Sequence, residues 1–327
     1  WAVRGPGRIR PPDGVASLST DGRRIFTLVA ADPDGRTPRL IPAAIDTDAD
    51  PPATAWSGFG SAGDLFDDGW AMGPPLLAAG RLYVPTALRD ATMLAPGLVC
   101  LDAATGRRIW ATVLGEDMGP AARQSLHPQS PRPVLWGGRL FVGNGGRVIG
   151  ALDAATGDLE WVHVAARRVY ALAGGPPAPA AFEGGVLYPE MGTGWLLRAD
   201  SGAVTAIPPS PFQPHWCVTA GVRTALFGDD GATAAAGGPR GFAELLNRSG
   251  GRGVLYELPD PPAGRPALWG ETLTVPTTRG LLSVDLPSGE VRVLAEWGPG
   301  DAGDLVRLPG WVVILRGGSA TFRKVQE

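Results

Sequence analysis

The feature that most constrains this chain is an internal repeat. Ala151-Leu-Asp153-Ala-Ala-Thr156-Gly157-Asp-Leu-Glu-Trp161 restates Cys100-Leu-Asp102-Ala-Ala-Thr105-Gly106-Arg-Arg-Ile-Trp110 with few changes. Each copy is a short apolar run, a turn and a second short run. Asp and Thr side chains bond backbone N–H groups within turns, and Gly accepts the positive φ that such a turn needs. Two short runs around a Gly-containing loop predict a β-hairpin. A repeated hairpin cannot bury its own faces, so successive copies must pack on one another.

Weaker copies follow once the spacing is known. Arg198-Ala-Asp200-Ser201-Gly202 keeps the hydroxyl and the glycine, with Arg in place of the first Asp. Asp285-Leu-Pro-Ser288-Gly289 keeps all three turn positions, and Asn247-Arg-Ser249-Gly250 is a looser match. The turn glycines 106, 157, 202, 250 and 289 are 51, 45, 48 and 39 residues apart, the period of four-stranded propeller blades. A second signature precedes each copy, a turn residue followed by a β-branched or aromatic run. Gly22-Arg-Arg-Ile-Phe, Gly80-Arg-Leu-Tyr and Gly138-Arg-Leu-Phe are its clearest instances.

Counting that signature predicts one all-β propeller domain over 1–327 with seven four-stranded blades, the alternative being eight. The expected blades are 14–56, 74–110, 132–161, 177–207, 215–256, 265–294 and 301–327. The last unit lacks a fourth strand, and Trp1-Ala-Val-Arg4 at the start of the chain reads as one. The expectation is a ring closed by 1–4 joining the last blade, which leaves no seam of unpaired strand edge. The alternative is a longer protein trimmed at both ends. Gly241-Phe-Ala-Glu-Leu-Leu-Asn-Arg248 is the one place where the pattern allows a helix.

The pattern Ala151-x-Asp153-x-x-Thr156-Gly157-x-x-x-Trp161 resembles the tryptophan-docking repeat of the PQQ-like, quinoprotein-type β-propellers. The resemblance implies that the Trp of one blade, as at Trp110 and Trp161, packs on the turn of the next. Ala206 and Val293 stand at that position in the fourth and sixth units, so the girdle is incomplete. The family includes quinone-dependent alcohol dehydrogenases and the outer-membrane assembly propeller lipoprotein of Gram-negative bacteria. Its quinone enzymes have eight blades, a Ca²⁺ held by Glu, Asn and Asp, a catalytic Asp and often a vicinal Cys pair. Here the cysteines, Cys100 and Cys217, are far apart, and no cluster matches a cofactor site. The resemblance therefore implies the non-enzymatic assembly branch, without a cofactor, and an extracytoplasmic location. The chain begins with Trp1, which fits a removed leader.

Composition agrees with many short strands and turns: 48 Gly and 33 Pro in 327 residues. No apolar run reaches the roughly 20 residues of a membrane-spanning helix. A net charge of −3 offers no footprint for nucleic acid. Lys324 is the only lysine, and the arginines are scattered, which reads as compositional bias rather than a site. The two cysteines read as buried free thiols.

No Gly-x-Ser-x-Gly elbow or Walker loop occurs, and the glycines of 143–146 join two strands with no helix behind them to bind an anion. His127, His163 and His215 lack partners at metal-ligand spacing. Function is instead expected in the two longest connections, Ser57–Pro75 and Leu114–Pro133, because long loops on a rigid frame carry binding residues. Phe59, Trp70, Arg123 and His127 are the candidate protein-binding residues. Asp64, Asp67 and Asp68 have the oxygen chemistry for Ca²⁺ but not the spacing of an EF-hand, and read as solvated turn acids. The expected function is a scaffold for other proteins. The alternatives are a propeller with a cofactor or sugar in its central funnel, and a structural unit of a fibre or coat.

Overall fold

The computed structural model describes residues 18–31, 39–60, 69–89, 94–115, 132–143, 148–164, 179–182, 185–190, 193–206, 212–220, 223–231, 238–246, 252–264, 266–298, 304–308, 311–316 and 319–324. These residues form antiparallel sheets joined in sequence order, with no helix among them. They fall in two compact units, Trp1–Ala171 and Leu172–Glu327.

In the first unit, sheet one runs β1 (Leu18–Thr20), β2 (Arg24–Ala30), β3 (Leu40–Asp46), β4 (Ala53–Ser57). Sheet two runs β5 (Trp70–Ala71) and β6 (Leu76–Ala78), both on β7 (Arg81–Arg89), then β8 (Leu94–Asp102) and β9 (Arg108–Val113). Sheet three runs β10 (Val134–Trp136), β11 (Arg139–Gly143), β12 (Val148–Asp153), β13 (Leu159–Val164). Alternation along the strands makes the core. On β7, Leu82 and Val84 join Phe26, Leu28 and Leu40 of sheet one, while Tyr83 joins Leu140 and Leu152 of sheet three. Each such fully buried side chain contributes about 1.5–3 kcal/mol.

In the second unit, sheet four runs β14 (Ala180–Phe182), β15 (Gly185–Glu190), β16 (Thr193–Arg198), β17 (Val204–Ala206). Sheet five runs β18 (Gln213–Ala220), β19 (Arg223–Asp229), β20 (Gly241–Leu246), β21 (Arg252–Leu258). Sheet six runs β22 (Ala267–Trp269), β23 (Thr272–Pro276), β24 (Gly280–Asp285), β25 (Val291–Glu296). The last sheet shows β26 (Asp304–Leu308), β27 (Trp311–Arg316) and β28 (Ser319–Lys324).

Two expectations need correction. Five sheets are four-stranded blades, so seven equal blades, or eight, are not what the described residues form. In sheet two the first strand is split into β5 and β6, because Pro74 and Pro75 between them have no N–H to donate to β7. In the last sheet only three strands lie among the described residues, and the closing segment 1–4 lies outside them. Within 241–248, where the pattern allows a helix, Gly241–Leu246 is strand β20, paired on both sides, and 247–248 lie outside the described residues. Phe242 and Leu246 pack towards sheet four and Ala243 towards sheet six, so each face of the strand is buried. A single short helix could bury only one stripe.

A register shift marks the pairing of third and fourth strands in five sheets, at Ala44/Ile45, Cys100/Leu101, Ala151/Leu152, Leu245/Leu246 and Leu281/Leu282. Such bulges twist an outer strand and re-aim the side chains beyond them. Trp56, Trp110 and Trp161 are the first paired residues after the shift in their strands.

Candidate functional site

The repeated turns are built alike. Asp102 Oδ1 accepts from Thr105 N at 2.8 Å and Thr105 Oγ1 at 2.7 Å, and Gly106 N donates back to Asp102 O. Asp153 Oδ1 accepts from Ala155 N and Thr156 N, both at 2.8 Å, and from Thr156 Oγ1. Asp285 Oδ2 accepts from Ser288 N at 3.0 Å and from the Ser288 hydroxyl. These donors stabilise the ionised carboxylates. The Thr105 hydroxyl chiefly lowers the pKa of Asp102, the Thr156 N–H that of Asp153, and the Ser288 hydroxyl that of Asp285. At the fourth turn, Arg198 occupies the place of the Asp and pairs with Asp200 through two bonds. That pairing, aided by Ser201, pulls the Asp200 pKa far down.

The turns at Gly106, Gly157 and Gly289 each receive an aromatic from the sheet before them. A methyl group on Gly106 would lie 2.6 Å from Trp56 Cδ2, and one on Gly157 would lie 2.5 Å from Trp110 Cδ2. Both glycines also have positive φ, 73° and 80°. Trp56 Nε1 donates to Ala103 O at 3.1 Å. In the second unit Tyr256 lies against Gly289 and its hydroxyl donates to Leu286 O at 2.9 Å. Behind these rings stands a second aromatic: Phe26–Trp56, Tyr83–Trp110 and Phe141–Trp161, with centroids 6.2, 5.9 and 6.0 Å apart.

Trp56, Tyr256 and the arginines of the second signature join these turns without having stood among the candidate residues. Arg24 Nη1 donates to Ala104 O at 2.9 Å, and Arg81 Nη1 donates to Ala154 O and Ala155 O at 3.0 Å each. Thr112 Oγ1 adds a bond of 2.6 Å to Gly157 O. The repeated phrase Arg24-Ile-Phe26, Arg81-Leu-Tyr83, Arg139-Leu-Phe141 was the available signal. At least two of these arginines are ties between sheets rather than compositional bias.

The candidate contact residues fare differently. Phe59 is 4% exposed within the cluster of Phe26, Leu82 and Val99, so it offers no contact surface. Trp70 is half-buried on β5, opposite Ala87. Arg123, His127, Asp64, Asp67 and Asp68 lie outside the described residues. His163 is half-buried, and burial lowers its pKa. Burial pushes the Cys100 thiol up to about 12, which makes it a poor nucleophile. Among the described residues no three of His, Cys, Asp and Glu gather to hold a metal ion.

The family model described as "Outer membrane protein assembly factor BamB" matches residues 43–292. The chain belongs to this family. BamB from Moraxella catarrhalis has the same fold, with TM-score 0.52 and 14% identity over 94% of this chain and 95% of that one. The computationally designed Ika8 protein has TM-score 0.53 and 10% identity, over 96% of both chains. Quinohemoprotein alcohol dehydrogenase from Comamonas testosteroni has TM-score 0.57 and 15% identity, over 93% of this chain and 63% of its own. At these identities the likeness to solved structures concerns the all-β propeller fold alone. A comparison with curated protein sequences gives no match. Within the BamB family frame, the resemblance read from 151–161 holds, and the fold is a propeller.

Proposed function

We propose that this chain is a non-catalytic propeller scaffold that binds other proteins outside the cytoplasm, in the assembly of outer membrane proteins. The observation that carries the reading is the family match over 43–292. No helix among the described residues is long and apolar enough to cross a membrane. The contact surface we assign is the pair of connections Ser57–Pro75 and Leu114–Pro133, with Trp70, Arg123 and His127 as contacts. Trp70 sits at the end of the first connection on a paired strand, and a large aromatic on a rigid element makes an effective anchor.

The test is binding of the chain to purified outer-membrane assembly machinery of its source cell, with Trp70→Ala as the variant. We expect affinity to fall by about tenfold or more with little change in thermal midpoint. Unchanged affinity removes this surface from consideration.

One observation favours a second reading, a quinone-dependent enzyme: the fold likeness to the alcohol dehydrogenase. Mixing the chain with pyrroloquinoline quinone and Ca²⁺ separates the two. A bound chromophore with dye-linked alcohol oxidation moves the assignment to the enzyme, and a spectrum of free quinone keeps it with the scaffold.

A further inference from the structure

The first two joints of unit one are built from matching parts, and two hydroxyls, of Tyr83 and Thr112, belong to the second alone. At the first joint, Ala103 O accepts from Trp56 Nε1 at 3.1 Å and from Arg24 Nη1 at 3.5 Å. The aromatic behind Trp56 is Phe26, which has no polar atom. At the second joint the equivalent carbonyl, Ala154 O, accepts from Arg81 Nη1 at 3.0 Å and from the Tyr83 hydroxyl at 3.2 Å. A carbonyl oxygen has two lone pairs, and both are taken. Trp110 Nε1, the counterpart of Trp56 Nε1, is buried with no hydrogen-bond partner among the described residues.

The indole is nonetheless in position. The same three ring atoms, Cδ2, Cε3 and Cγ, lie over Gly157 as Trp56 presents to Gly106. The tilt between the paired rings is 41° at the second joint and 43° at the first. At the second joint the Tyr83 hydroxyl takes the acceptor position on the carbonyl that the indole takes at the first.

We propose that the joint between sheets two and three is a two-position element. Ala154 O is held by the Tyr83 hydroxyl in one position and by Trp110 Nε1 in the other, with Arg81 bound in both. Each position leaves one buried donor unmet. That donor is the indole N–H in the first position and the hydroxyl of Tyr83, 3% exposed, in the second. Costs of the same kind and similar size put the two positions close in free energy, which is the condition for both to be populated. The first joint has one arrangement only. The adjustable joint is thus the one between the two sheets that Leu114–Pro133 connects.

Hydrogen exchange of the indole N–H groups in the ¹⁵N-labelled full chain tests this. Trp56 serves as the internal reference, and Trp110 is assigned through its proximity to the Gly157 amide. In the wild type, the Trp110 indole proton should exchange about tenfold or more faster than that of Trp56. Tyr83→Phe frees the second lone pair, so the Trp110 proton should slow to the Trp56 rate, with no fall in thermal midpoint. A Trp110 proton already as protected as that of Trp56 overturns the proposal. So does a rate that Tyr83→Phe leaves unchanged, or a midpoint lowered as by simple loss of a stabilising hydroxyl.

Discussion

Single residues set the turns that the rest of the molecule leans on. Gly157 meets two demands at once, a φ of 80° and a Trp110 ring so close that a methyl group would overlap it. Gly157→Ala should therefore destabilise by about 2–4 kcal/mol, adding left-handed strain to overpacking, as urea unfolding would show. The turn carboxylates give a pH signature. The folded pKa of Asp153 lies below its unfolded value, so the unfolded state binds more protons between the two. Its contribution is complete above the unfolded pKa, about 4, and is lost as pH falls through the folded value. Asp153→Asn should lose stability at pH 7 and respond less than the wild type to acid below pH 4, measured by thermal midpoints across pH 2–7.

At the scale of elements, the fourth strands do two jobs. They carry the docking aromatics inward, and among the described residues they carry every large exposed hydrophobic: Ile109 and Val113, Leu159, Val162 and Val164, Val204, Val254 and Leu255, Val293 and Leu294. An apolar outer strand with free backbone edges invites pairing with another chain. The bulges in five of these pairings twist the edge away from a flat partner, which is how a strand can be apolar and still remain an edge. In sheet five the inward-facing aromatic is Tyr256, half-buried, tied by one bond to Leu286 O. Tyr256→Phe keeps the ring and loses the tie, so it should cost about 1 kcal/mol in chemical unfolding. The strand expected to be a helix belongs to this scale too. Gly241–Leu246 has little β-alternation of polar and apolar residues because both of its faces are covered, and a two-sided burial pattern cannot be told from a helix by periodicity.

At the scale of the whole molecule, the chain has a net charge of −3 and a pI near 5.7, so little repulsion keeps copies apart in mild acid. With ten large aliphatic side chains exposed on outer strands among the described residues, solubility should pass through a minimum close to pH 5.7 and recover towards pH 8. Light scattering against pH reads this directly; a flat profile would mean that the bulged edges, not charge, keep the chains separate.

The repeat was legible in the sequence because its chemistry is local. An Asp that bonds N–H groups two and three residues on, and a glycine that turns the chain, act within a few residues and recur wherever the turn recurs. From that recurrence came the all-β propeller and its family. What the sequence could not state is which carbonyl each long side chain reaches in the next sheet. Arg24 and Trp56 meet Ala103 across 79 and 47 residues, and Phe59 is buried by strands it does not resemble. The split first strand of sheet two, the β-strand at Gly241–Leu246 and the surplus donor at Ala154 O are likewise products of packing. Each depends on which faces are covered and how many lone pairs an acceptor has left, and those are settled only when distant segments of the chain meet.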